Sequence, residues 1–259
     1  MDLVDALAAR GLVAVVGAGG KKTTLYALAE RFDRALVTAT VRIPIFDAHV
    51  SHVAVTDDPA TAVEDAERDD WPLGVVPERD RKNRYRGYET LVVDGLADDV
   101  LGGSRSTGRG SADAVGDPVD SILADGARNR RLKAPDEREP RIPATADTVL
   151  PIASARVVGK PLTDDRVHRV DRVASITDRA EGDRIEAADV AAVLASTEGG
   201  LKDVPADATV VPVVNMVDTP ELAAVAREVA AGIFDRTDRV DRVALTRMDR
   251  GEAVDVVER

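Results

Sequence analysis

The sequence predicts an α/β fold, a mostly parallel sheet flanked by helices, and three observations carry that prediction. The continuous apolar run Leu12-Val13-Ala14-Val15-Val16 is the mark of a strand buried on both faces, the parallel-sheet pattern. Segments with helical spacing alternate with runs of this kind along the chain. The first run passes through Gly17-Ala18-Gly19-Gly20 directly into a helical pattern, a strand–turn–helix arrangement suited to an anion.

Each element follows in order. Leu25, Leu28, Ala29 and Phe32 lie at i, i+3, i+4 and i+7, which predicts a helix from about Lys21 to Phe32. Strands are predicted at 35–38 and 51–56, and an acidic helix at 58–68. Residues 78–88, polar and mostly basic with two tyrosines, read as a loop or exposed helix. Residues 102–118 are rich in Gly, Ser and Asp and read as a mobile segment within one domain spanning 1–259. Strands are expected near 119–124 and 147–153, and a helix at 186–195 with Val190, Val193 and Leu194 on one side. A late strand at 208–217 contains Pro212, so it is an edge or begins at the proline. Thr219-Pro220-Glu221 starts a helix whose buried face is Leu222, Val225, Val229 and Ile233, and a last strand lies near 240–246.

Composition narrows the function. Asp and Glu outnumber Lys and Arg by 47 to 35, a formal charge of −12, which argues against nucleic acid and against an anionic membrane surface as partners. No apolar run reaches the roughly 20 residues that span a bilayer. The acidic N-terminus lacks the features of a signal peptide, so a cytoplasmic location is expected. Many Asp and Arg with few Lys are what a salt-adapted, halophilic protein carries, its self-repulsion screened at molar ionic strength. With no cysteine, the chain has no thiolate nucleophile or thiolate metal ligand.

Three constellations carry chemistry. The first is Gly17, Ala18, Gly19, Gly20, Lys21, Lys22, Thr23 and Thr24. Glycines let backbone N–H groups turn inward, a lysine reaches terminal phosphates, and a threonine hydroxyl ligates magnesium. The motif is imperfect: Val15 stands where the long form has glycine, and Lys22 stands where the short form has Ser or Thr. The hydroxyl then comes from Thr23 or Thr24, or Lys22 has replaced it. A dinucleotide turn would need glycine at 22, and an ordinary glycine turn is the plain alternative. The second is residues 121–143, where Asp125 ends an apolar stretch and Arg128, Arg130, Arg131 and Lys133 follow. Asp125 would hold a magnesium-bound water and the cations an anion; alternatively the cations pair with Asp136, Glu137 and Glu139. Asp94 competes for the acidic role. The third is Asn215-Met216-Val217-Asp218, which echoes a guanine-reading element with Met in place of Lys; a strand end with a helix cap is the alternative. His49 and His52 have no companion ligand, and His168 lies in a charged stretch.

Taken together, VVGAGGKKTT, ADGARNRRLKAP, GKPL at 159–162, VHR at 167–169, EGGLKDVP at 198–205 and VVPVVNMVD resemble, in this order, the YqeC family. These are accessory proteins of selenium-dependent molybdenum hydroxylases, also described as selenium cofactor biosynthesis proteins. The resemblance implies a P-loop NTPase-like protein whose glycine loop falls on Gly17 to Gly20 and whose lysine falls on Lys21. It carries a Thr-rich turn onto Thr38 and Thr40, the acidic block onto Asp125 to Arg128, a lysine onto Lys133, and a His-Arg pair onto His168 and Arg169. It favours Asp125 over Asp94. Leu123 departs from the pattern, where an acid is expected.

The resulting expectation is a magnesium-dependent protein that binds ATP or GTP. Lys21 and residues 17–22 hold phosphates, Thr23 or Thr24 and Asp125 serve the metal, and Arg128, Lys133 and His168 line the opening. The implied reaction is nucleotide hydrolysis or phosphoryl transfer in maturation of a selenium/molybdenum hydroxylase cofactor. A non-catalytic nucleotide-dependent chaperone of the hydroxylase, or a module binding a pterin dinucleotide, are the alternatives.

Overall fold

A ten-stranded sheet organises the chain. The computed structural model describes residues 1–105, 121–125 and 130–259. In chain order it contains α1 (Leu3–Ala6), β1 (Gly11–Gly17), α2 (Lys21–Ala29), β2 (Ala35–Ala39), β3 (Ile43–Pro44), β4 (His52–Val55), α3 (Pro59–Glu64), β5 (Leu73–Val76), β6 (Arg84–Tyr85) and α4 (Thr90–Arg105). Then follow β7 (Ser121–Asp125), β8 (Leu132–Lys133), β9 (Thr148–Ser154), β10 (Val167–His168), α5 (Val170–Thr177), α6 (Ala187–Ala195), β11 (Thr209–Val210), β12 (Val213–Asn215), α7 (Pro220–Phe234), β13 (Arg242–Arg247) and β14 (Glu252–Glu258).

The sheet order is β14-β13-β12-β9-β1-β7-β2-β5-β4, with β11 against β9. Among the described pairings of this sheet only β13 with β14 is antiparallel. The continuous apolar runs follow from this. Val13 and Val15 of β1 pack with Leu25 and Leu28 of α2, while Leu12, Ala14 and Val16 pack on the other face with Val93, Leu96 and Ala97 of α4. A third cluster joins Ala153, Val214 and Val243 to α6 and α7. Each fully buried Val or Leu contributes about 1.5–3 kcal/mol of burial, so both faces of β1 anchor the sheet.

After β1 the chain fills one side of the sheet with β2, β4 and β5 and later the other side with β9, β12 and β13. β1 is therefore a point where the winding reverses, and the C-terminal ends of the parallel strands β1, β7 and β9 lie at one edge of the sheet, where α/β sheets place their ligand crevices.

Several expectations change. Pro212 splits the late strand into β11 and β12: β12 begins directly after the proline, as one of the two readings expected, and lies inside the sheet between β9 and β13 rather than at an edge. β14 was not expected. Residues 90–105 form α4, so the segment expected to be mobile is helical at its start; residues 106–120 lie outside the described residues. Asp94 sits within α4, not at a strand tip, and accepts from the N–H and hydroxyl of Thr145 at 2.8 and 2.7 Å. Residues 78–88 are no exposed helix: Tyr85 of β6 is buried and donates to Asp47 at 2.7 Å, and Tyr88 is buried and donates to the carbonyl of Thr56 at 2.6 Å.

Candidate functional site

The turn from β1 into α2 is held by its own neighbours. Gly17, Gly19 and Gly20 have φ of +87°, +113° and +133°, conformations that side chains with a Cβ rarely adopt. A Cβ on Gly17 would fall 2.4 Å from the carbonyl oxygen of Ile152, one on Gly19 2.7 Å from the N–H nitrogen of Ser154, and one on Gly20 2.0 Å from Nδ2 of Asn215. The glycines are thus required by close approach to β9 and to Asn215. Ala18 donates its N–H to the carbonyl of Ile152 at 2.9 Å, which removes that group from any ligand. The N–H groups of Gly19, Gly20, Lys22 and Thr23 meet no acceptor among the described residues. They belong to the first turn of α2 and its entry, where the helix dipole is positive.

Lys21 is the first residue of α2 and is 4% exposed, whereas Lys22 is half-buried and Thr23 exposed. Thr24 is fully buried, and its hydroxyl donates to the carbonyl of Gly20 at 3.1 Å. Of the two candidate threonines, Thr23 keeps an accessible hydroxyl and Thr24 spends its proton inside the turn. Thr38 donates to the carbonyl of Val75 at 2.9 Å and Thr40 to the carbonyl of Arg141 at 2.7 Å, both from buried positions. These hydroxyls stitch β2 to β5 and to the 133–141 segment. Facing a phosphate with their O–H groups, as the resemblance implied, would break those bonds.

The cationic block is largely closed. Lys133, 8% exposed, pairs with Glu139 at 2.7 Å, and Arg169 donates to the same carboxylate at 2.7 Å and pairs with Asp136. Arg172 lies 3.9 Å from Glu137. Burial pushes the Glu139 carboxyl up, but the hydrogen bonds and charges of Lys133 and Arg169 outweigh it and hold it at about 2. Lys133, expected to line the opening as an anion-binding group, is one arm of a buried ion cluster. Sequence reading named Glu139 and Arg169 without recognising that they meet, because nothing in their 30-residue separation reports contact. His168 of β10 lies in register with Lys133 of β8, half-buried beside that cluster. Asp125 ends β7 in register with Val15 of β1 and Ala39 of β2, adjacent to the turn. Arg128 lies outside the described residues.

Asn215, 2% exposed, donates from Nδ2 to the carbonyl of Gly19 at 2.8 Å. Its Oδ1 accepts from the Thr246 hydroxyl at 3.1 Å and from the Met248 N–H at 3.0 Å. Asp218 accepts from two nitrogens of Arg156 at 2.5 and 2.6 Å. The guanine-reading expectation is corrected for Asn215, whose amide is committed to the turn and to the end of β13. His49 stacks on Tyr26, ring centroids 3.9 Å apart and planes 9° apart, which accounts for it without a metal.

Beside Gly17 a pocket opens between β1 and the 133–141 segment, walled by Val16, Pro140, Val193 and Leu194, with Thr40 and Lys133 among its polar groups. Among the described residues no three His, Asp or Glu side chains cluster in a way that would hold a metal by themselves. A magnesium ion arriving with a nucleotide needs fewer protein ligands, and the accessible hydroxyl of Thr23 fits that role. No helix among the described residues is long and apolar enough to cross a membrane.

Comparison with known proteins supports the family resemblance. The family model described as YqeC protein matches residues 13–171, which span β1, the glycine turn, β7 and the ion cluster. A relative from Escherichia coli (strain K12), described as an uncharacterized protein YqeC, is 27% identical over 198 residues, covering 75% of this chain and 71% of its own length. The chain belongs to the YqeC family.

Proposed function

We propose that this YqeC-family protein binds a purine nucleoside triphosphate, ATP or GTP, with magnesium at the turn between β1 and α2. One observation carries the reading: four backbone donors at the entry and first turn of α2 lack acceptors among the described residues, at the winding-reversal edge of a parallel sheet, with Lys21 and Lys22 in the same turn. A polyphosphate is the ligand that matches donors of that number and sign. A packed glycine turn explains Gly17, Gly19 and Gly20, but it does not explain two of six lysines at one helix start in a chain that avoids lysine.

In this reading the amides of residues 19–23 hold the phosphate oxygens and Lys21 supplies charge. Thr23 and Asp125 hold the metal, and His168 stands near the pocket beside the turn. Magnesium supplies neutralisation of the phosphate charge when bound. The proposed reaction is nucleotide hydrolysis or phosphoryl transfer, and the proposed setting, from the family resemblance, is maturation of a selenium/molybdenum hydroxylase cofactor. The module for a pterin dinucleotide is disfavoured, because it relies on Lys133, which Glu139 already neutralises.

Titration calorimetry in concentrated potassium chloride tests this with ATP, GTP and CTP, each with and without magnesium. The expected result is magnesium-dependent binding of one purine triphosphate. Binding of none of the three would overturn the reading.

A further inference from the structure

We infer that Asn215 is a positioning residue: its side-chain amide fixes the glycine turn in the shape that presents the α2 amides to an anion. This deepens the nucleotide reading and rests on it for its consequence, but its local claim concerns the turn alone.

The geometry assigns every strong contact of this buried amide. One Nδ2 proton goes to the carbonyl of Gly19 at 2.8 Å, across a chain separation of 196 residues. Both acceptor directions of Oδ1 are filled, by Thr246 at 3.1 Å and Met248 at 3.0 Å. Asn215 thus joins the turn after β1 to the end of β13, across the intervening strand β9. Gly19 has φ of +113°, and among the described residues Asn215 is the side-chain donor bonded to its carbonyl. The fit extends to the backbone: a Cβ on Gly20 would lie 2.0 Å from Nδ2, so Asn215 and the lack of a side chain at position 20 require each other. With the Gly19 carbonyl bonded to Asn215, the N–H groups of Gly19, Gly20, Lys22 and Thr23 are left without acceptors among the described residues. The next residue, Met216, has φ of +63°, so the chain bends sharply right after the amide is set.

The test is Asn215→Asp, which keeps the shape and makes the donor titratable. The protonated carboxyl can donate to the Gly19 carbonyl and accept from Thr246 and Met248, as the amide does. The ionised carboxylate instead turns an acceptor toward the Gly19 carbonyl. Burial raises such a carboxyl above the ordinary carboxylate range, while the Thr246 and Met248 donors and nearby cations lower it, so protection and affinity are compared from pH 8 down to pH 5.5. Charged residues on the elements that carry its partners are Lys21 and Lys22 on α2, Arg156 after β9, Asp218 after β12, Arg247 on β13 and Asp249 after it. Wild type measured at each pH carries their contribution.

Amide hydrogen exchange of Ala18 and Thr24, whose N–H groups are bonded to the carbonyls of Ile152 and Gly20, is read in ligand-free protein, and triphosphate affinity is read with magnesium. For Asn215→Asp at pH 8 we expect loop protection and affinity to fall at least about tenfold relative to wild type, and both to return toward wild type at pH 5.5. Thr246→Val removes one donor to Oδ1 and leaves Nδ2 in place. It is expected to loosen the loop a few-fold with no pH recovery. Unchanged protection in Asn215→Asp at both pH values, or a loss that acid does not restore, would overturn the inference. Acid-restored loop protection in a protein that binds no triphosphate would support the positioning role and overturn the nucleotide reading.

Discussion

Two regions at the C-terminal edge of the sheet look alike in sequence and differ in structure. The start of α2 carries Lys21 and Lys22, and the 130–133 segment carries Arg130, Arg131 and Lys133. Around Lys133 the protein supplies the counter-charges itself: Glu139 serves both Lys133 and Arg169, and Asp136 serves Arg169. Around the start of α2 the N–H groups of Gly19, Gly20, Lys22 and Thr23 meet no acceptor among the described residues. The lesson is that a cation in a sequence does not mark a binding site; the balance of donors and acceptors around it does. One region is closed by its own carboxylates; in the proposed reading the other is open toward an anion.

The sharpest way to break this comparison is to crowd the open region. Gly19→Val would place a branched side chain at φ of +113°, with its Cβ 2.7 Å from the Ser154 nitrogen. It is expected to cost about 3 kcal/mol of stability, measured by denaturant unfolding at fixed high salt. A cost below about 1 kcal/mol would mean the turn is not pressed against β9.

The closed region is tested by opening it. Glu139→Gln leaves the buried Lys133 without its carboxylate and should destabilise by about 2–3 kcal/mol while leaving triphosphate affinity unchanged. The pH dependence follows from the same ion pair. The Glu139 carboxyl is held at about 2 in the folded protein against an ordinary value of 4.5. Its contribution is present above pH 4.5 and is lost as pH falls toward 2, because folding then competes with protonation. Unfolding of wild type between pH 5 and 2 should therefore steepen relative to Glu139→Gln, and parallel curves would remove the cluster from the account.

The smallest effects separate the two threonines. Thr24→Ala loses a hydroxyl bonded to the Gly20 carbonyl and should cost about 1 kcal/mol without altering magnesium dependence. Thr23→Ala, at an exposed position, should leave stability within about 0.5 kcal/mol and weaken the magnesium enhancement of binding. The reverse pattern would exchange their roles.

Much of the fold was legible because its signals are local. Continuous apolar runs announced β1, β2 and β9, and Thr219-Pro220 announced α7, whose cap accepts from Leu222 at 3.3 Å. What escaped was α4, whose Val92-Val93-Asp94-Gly95 stretch resembles a strand, and β14, a partly exposed antiparallel edge whose alternation is diluted by acids. Within the site, the glycines and Lys21 could be singled out from spacing alone. The roles of Thr38, Thr40 and Asn215 could not, because each depends on a partner at a distance in the chain: Val75, Arg141 and Gly19. For Lys133, three acids within the next six residues already offered the pairing with Glu139.

The most direct measurement compares the two lysines in one assay. Magnesium-triphosphate affinity is measured by calorimetry in concentrated potassium chloride for wild type, Lys21→Ala and Lys133→Ala. The account predicts that Lys21→Ala weakens binding by about 100-fold, the loss of a charge-assisted contact to phosphate, and that Lys133→Ala stays within about twofold of wild type. Loss of binding in Lys133→Ala with retention in Lys21→Ala would contradict the account and move the anion site from the start of α2 to the 130–133 segment.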